Sequence, residues 1–192
     1  RGLVDAERVG LIGHSWGGWQ ATYLPTRIDT FAASVAGAPL TDFVSFMGQL
    51  HWNQGIAELG HWETGQARME VPYWVDPEAH HRSSPIHKVH EMETPLLMAF
   101  GDEDGVVDWD QGTEFYNFAR RAGKQMVLLV YEGEDHGFRN KTSQIDYHRR
   151  ILEWFGHYLK GEPAPTWITD GVPLDTLENE KRRVATRRGA TQ

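Results

Sequence analysis

Three short runs of this chain hold side chains able to do nucleophilic chemistry together. The first is Val9-Gly10-Leu11-Ile12-Gly13-His14-Ser15-Trp16-Gly17-Gly18-Trp19, in which branched aliphatics lead into a Gly-x-Ser-x-Gly turn. A helix-compatible stretch from Trp16 to Leu24 follows and stops at Pro25. A serine thrust outward from so tight a strand-to-helix turn sits at strained backbone angles, and side chains two residues to either side would collide. Gly13 and Gly17 are expected to remove those clashes. A serine hydroxyl is a poor nucleophile at neutral pH. It needs a histidine to take its proton and a carboxylate to hold that histidine in one tautomer.

The other two runs can supply both groups. Gly101-Asp102-Glu103-Asp104-Gly105-Val106-Val107 and Glu132-Gly133-Glu134-Asp135-His136-Gly137-Phe138 each follow an apolar strand candidate. In open parallel sheets active groups gather beyond the carboxyl ends of the strands, so both loops fall on the same rim as Ser15. His136 is then the base. Asp102, Glu103, Asp104 and Asp108 all compete for the acid, and Asp104 is favoured. Asp102 lies at the strand end, where it can organise the turn, and Asp108 reads as the N-cap of the next helix. Asp135 adjoins His136 in sequence, but neighbouring side chains in an extended loop rarely meet. His14 is read as packing under the elbow.

The elements that must position these groups are legible as periodicities. Strands are expected over Val9 to His14, Phe31 to Gly37, Pro95 to Gly101 and Gln125 to Tyr131. Helices are expected over Trp109 to Ala122 and Gln144 to Leu159, where apolar residues recur at three and four. Continuous apolar strands alternating with helices predict an α/β fold: a parallel sheet with helices on both faces. Ser, then Asp, then His is the chain order of α/β-hydrolases. Residues 1–160 read as part of such a domain, its carboxyl-terminal half, and 161–192 as a Pro-rich and charged terminal extension. Between Pro39 and Val89, about fifty residues show no sustained period and read as an insertion over the catalytic rim. Its aromatic residues Trp52, Trp62, Tyr73 and Trp74 are candidates for the substrate pocket. The chain opens on Arg1 and runs almost at once into a strand, which predicts a fragment whose earlier portion lies outside these residues.

Bulk composition excludes several roles. With 192 residues, 40% hydrophobic, the chain can bury a real core. A formal charge of −8 argues against a nucleic-acid partner, and the basic Lys181-Arg182-Arg183 with Arg187 and Arg188 reads as a solvated terminus. There is no cysteine, so thiol nucleophiles and cysteine-ligated zinc are excluded. No apolar run is long enough to span a membrane. His80, His81, His87 and His90 match no helical zinc spacing and read as a solvated loop, so no metal or organic cofactor is expected.

The three catalytic runs together resemble the catalytic domain of prolyl oligopeptidase family serine peptidases, over roughly Leu3 to Lys160. The resemblance implies that Ser15 is the nucleophile, Asp104 the triad acid and His136 the general base, with Trp16 lending a backbone N–H to the oxyanion hole. It implies a peptide substrate. It further implies an amino-terminal β-propeller and an upstream second oxyanion donor, both ahead of this sequence, and a tendency to form homo-oligomers. A carboxylesterase, an acyltransferase or a non-catalytic hydrolase-like module would share much of the pattern.

Overall fold

The computed structural model describes residues 2–171. The basic tail and the rest of the expected terminal extension lie outside the described residues. Strand β1 (Gly10–His14) turns sharply into helix α1 (Trp16–Tyr23), and β2 (Ala33–Gly37) follows. The insertion contributes α2 (Phe43–Met47), a hairpin of β3 (Leu50–His51) and β4 (Ile56–Ala57), α3 (Glu58–Glu63) and α4 (Pro77–Ser83). A 3-10 stretch, Pro85–Glu91, returns the chain to the sheet. Then come β5 (Leu96–Gly101), α5 (Asp110–Arg121), β6 (Met126–Tyr131), α6 (Lys141–Lys160) and α7 (Thr166–Thr169).

The main sheet runs β1-β2-β5-β6, with every neighbouring pair parallel. Alternation along its two central strands divides the core. Ala36, Leu96, Met98 and Phe100 face one side, where they pack with Ala21 of α1 and Phe115 and Ala119 of α5. Ala33, Val35 and Leu97 face the other, against Trp154 of α6 and Trp167 of α7. Both faces of β2 and β5 are therefore covered, which is why these strands read as unbroken apolar runs. Parallel pairing also brings the carboxyl ends of β1, β5 and β6 to one rim, where Ser15 and the loops holding Asp104 and His136 follow.

The segment expected to lack periodic structure instead holds three short helices and a separate two-stranded antiparallel sheet. Its elements are too short for a hydrophobic period to show in a sequence window. Trp62 is its anchor: the side chain is fully buried, with Phe43 edge-on at 4.1 Å and Trp16 stacked at 5.9 Å. His80 corrects the reading of a solvated histidine loop, since it is fully buried on α4 with Nδ1 on the Asp76 carbonyl. Beyond Gly161, which closes α6 in the left-handed region at φ 71°, the described part of the extension packs back. Trp167 stacks near Trp154 and donates to Glu153. No helix among the described residues is long and apolar enough to cross a membrane.

Candidate active site

Ser15 joins β1 to α1 at φ 57° and ψ −119°, a conformation that non-glycine residues occupy only under constraint. Its amide donates to the Gly37 carbonyl at 2.8 Å and its carbonyl accepts from Trp19 N–H at 2.8 Å, so the turn is pinned to β2 and to the helix. The two flanking glycines are not equivalent. A Cβ on Gly13 would lie 1.9 Å from the Gly17 carbonyl oxygen, whereas one on Gly17 would meet nothing within 4 Å. The clash the motif avoids thus belongs to Gly13, against the backbone of Gly17, and the expectation that both glycines relieve it holds for one.

Asp104 and His136 arrive from the loops after β5 and β6 and meet. His136 Nδ1 lies 2.9 Å from Asp104 Oδ2 and 3.1 Å from Oδ1. The Asp104 carboxylate is nearly buried, and its Oδ1 also accepts the backbone N–H groups of Val106 and Val107, each at 2.9 Å. An acceptor so fixed places the imidazole proton on Nδ1 and leaves the Nε2 lone pair free. The His136 ring centroid is 4.9 Å from that of His14, the residue before Ser15, which sets the imidazole over the elbow. The Ser15 hydroxyl and His136 do not form a hydrogen bond in this structure. Partial desolvation, and next the neighbouring His136, hold the His14 imidazole below its usual pKa; the residue is exposed, so it does not pack beneath the elbow as expected.

Three other aspartates of these loops have structural partners. Asp102 accepts Gly133 N–H at 2.6 Å and joins the two strand-end turns. Asp108 accepts Asp110 N–H at 3.0 Å, one residue ahead of the helix cap position, which Trp109 occupies. Asp135 ties three segments: it accepts from its neighbour His136 N–H at 2.7 Å, from Gly105 N–H at 3.1 Å and from the Asn53 amide at 3.0 Å. Burial pushes its carboxyl pKa up, but the hydrogen bonds from Asn53, Gly105 and His136 outweigh that and hold it below the usual range. Asn53 N–H in turn donates to the Gly105 carbonyl at 3.0 Å. The turn of the β3–β4 hairpin is thereby fastened to both the acid loop and the histidine loop.

A cavity of about 270 Å³ opens beside Ser15. Trp16, Leu40, Phe46, Val106 and Val107 give it apolar walls, and His51, Gln54, His61 and Gln66 add polar groups. None of the four aromatics proposed for the pocket lines it. Trp62 is buried behind Trp16, Trp52 and Trp74 are 67% and 75% exposed, and Tyr73 is half-buried with its hydroxyl 3.2 Å from His81 Nε2. Of the two carbocyclic aromatics that do line the cavity, Phe46 and Trp16, the one next to the serine in sequence is Trp16. Its indole N–H donates to Gln66 Oε1, a contact across fifty positions of sequence that no local pattern announces.

Known proteins resemble this chain over most of its length. The acylamino-acid-releasing enzyme of Arabidopsis thaliana is 25% identical over 166 residues, covering 83% of this chain and 21% of that enzyme. Dipeptidyl-peptidase 5 of Porphyromonas gingivalis is 26% identical over 165 residues, covering 82% of this chain and 22% of its own length. The chain therefore spans about a fifth of the length of these curated relatives. Among solved structures, a puromycin-hydrolyzing peptidase of Mycobacterium tuberculosis superposes with a TM-score of 0.75 at 25% identity, covering 82% of this chain and 23% of that one. An acylaminoacyl peptidase of Pyrococcus horikoshii shares the fold, with a TM-score of 0.73 at 20% identity over 88% of this chain and 27% of its own. Residues 1–162 match the prolyl oligopeptidase family, and the chain belongs to it.

Proposed function

We propose that this chain carries the catalytic centre of a serine peptidase that hydrolyses short peptides through an acyl-enzyme intermediate. The observation that carries the reading is the Asp104–His136 pair at 2.9 Å beside a serine held at φ 57° on the same sheet rim. His136 Nε2 takes the proton as Ser15 Oγ attacks the scissile carbonyl carbon. The resulting oxyanion is stabilised by the Trp16 backbone N–H at the start of α1, a donor that has no partner within the helix. His136 then delivers the proton to the departing amine, leaving the acyl group on Ser15. Water attacks the ester in the second half, again losing its proton to Nε2. Asp104 holds the ring through Nδ1 and stabilises the imidazolium formed in each half.

Family membership favours amides as substrates, and the relatives carry the names of peptidases. The cavity suits one apolar or aromatic side chain next to the scissile bond. A panel of short peptides and matched esters tests this reading. Cleavage of peptide amides is expected, lost on Ser15→Ala. Fast ester turnover with no amide cleaved would overturn the peptidase assignment and leave an esterase.

A further inference from the structure

Three side chains of the insertion converge next to the Ser15 rim, and two of their buried polar atoms find no partner. His51 lies on β3, Glu58 begins α3, and His61 stands one turn along the same helix. Glu58 is fully buried and His51 is 7% exposed. Glu58 Oε2 is 2.9 Å from His61 Nδ1, and Glu58 Oε1 is 2.9 Å from His51 Nδ1. The second contact lacks hydrogen-bond geometry, so a buried carboxylate oxygen and a buried ring nitrogen lie side by side with no partner. Such groups normally find one.

A second observation concerns the His61 proton. The Trp16 indole N–H can only donate, so it fixes Gln66 with the amide oxygen towards it. That same oxygen lies 2.9 Å from His61 Nε2. Nε2 must therefore be the donating nitrogen. A single ring proton is then used, and His61 Nδ1 points its lone pair at a carboxylate oxygen. Two acceptors at that distance need a cation between them, either a proton or a metal ion.

We infer that His51, Glu58 and His61 form a binding site for a zinc-class divalent cation. Two imidazole nitrogens and one carboxylate oxygen are a ligand set that zinc accepts, with the fourth position left open. The ligand atoms all lie within 4.8 Å of one another. Two nitrogens on one tetrahedral zinc ion lie about 3.3 Å apart, so ring rotations that shorten the widest gap by up to about 1.5 Å close the set. Gln66 supplies the outer hydrogen bond that fixes the tautomer of a metal-bound imidazole. His51 and His61 also line the cavity beside Ser15, which makes the open position available to water or to an oxygen atom of a bound ligand. The ligands come from a hairpin and a helix, so their spacing matches no single-helix zinc pattern.

Calorimetric titration of tag-free, metal-stripped protein with Zn²⁺, and in parallel with Mg²⁺, tests the site. One equivalent of Zn²⁺ is expected with a Kd of about 1 µM or tighter, and no Mg²⁺ uptake, because imidazole is a poor ligand for the harder ion. Glu58→Gln and His51→Ala are each expected to weaken Zn²⁺ binding by about a hundredfold, and Gln66→Ala by about tenfold. Circular dichroism checks that each variant is folded. If Glu58→Gln does not fold, His51→Ala, which keeps the Glu58–His61 contact, reads the same affinity. Absence of Zn²⁺ uptake at about 100 µM would overturn the inference and leave a proton-held His–Glu pair. Uptake unchanged in His51→Ala would overturn it too, by placing the ion elsewhere.

Discussion

Ser15 is held at a backbone conformation that costs on the order of 1–3 kcal/mol, and its neighbours decide whether the turn can form. A methyl group on Gly13 would overlap the Gly17 carbonyl, so Gly13→Ala is expected to destabilise the protein by about 3 kcal/mol or more. Gly17→Ala adds a methyl in open space on a helix and is expected to be neutral or to stabilise by about 0.5–1 kcal/mol. Denaturant melts of the two variants check the contrast, and equal destabilisation would contradict it. At Asp104, replacement by Asn keeps an acceptor for the Val106 and Val107 amides but can present the wrong partner to His136. A fall in kcat of about 10⁴-fold with little change in KM is expected from steady-state kinetics. Ser15, Asp104 and His136 were legible as candidates because each lies within five residues of the end of an apolar strand, and strand ends of a parallel sheet share a rim. Asn53, Gln66 and Glu58 were not, because each acts through a partner far away in sequence or through burial that only the folded insertion creates.

The regular elements could be read for a similar reason. α5 and α6 carry apolar stripes, and β2 and β5 are apolar but for Ser34, so their expected ranges fall within three residues of the observed ones. The insertion could not be read, since β3 and β4 have two residues each and α2 has five. Its hairpin nevertheless matters to the site, because Asn53 and Asp135 clamp it to both catalytic loops. Asp135→Ala removes the acceptor for two backbone amides and the Asn53 side chain, at a cost of about 2 kcal/mol or more. Since Gly105 and His136 then lose their common anchor, kcat is expected to fall at least tenfold in the same kinetic assay. The pH dependence has a definite sign. The folded-state pKa of Asp135 is depressed, so its contribution to stability is complete above about pH 4 and is lost as pH falls through the lowered value. The stability gap between wild type and Asp135→Asn should therefore shrink on acidification, and a gap constant down to acid pH would contradict the clamp.

At the scale of the whole molecule, the sheet has two edge strands among the described residues, β1 and β6, and β1 carries the more exposed apolar side chain. Among the described residues no strand pairs with its outer edge, and Ile12 in its middle is 57% exposed. A flat apolar edge of this kind invites pairing with another strand. The stretch shared with the relatives is about a fifth of their own length. These 192 residues expressed alone are expected to bind a hydrophobic dye, associate and melt broadly. A sharp, cooperative, concentration-independent melt of a monomer would contradict that expectation.

The central claim is that a hydroxyl, an imidazole and a carboxylate from three strand ends act as one nucleophilic unit. Labelling with a fluorophosphonate probe followed by mass-spectrometric mapping tests it most directly, because only an activated serine reacts. The predicted result is a single adduct on Ser15, absent in Ser15→Ala and slowed at least a thousandfold in His136→Ala. An unlabelled Ser15 in the folded protein, or labelling indifferent to the loss of His136, would contradict the account.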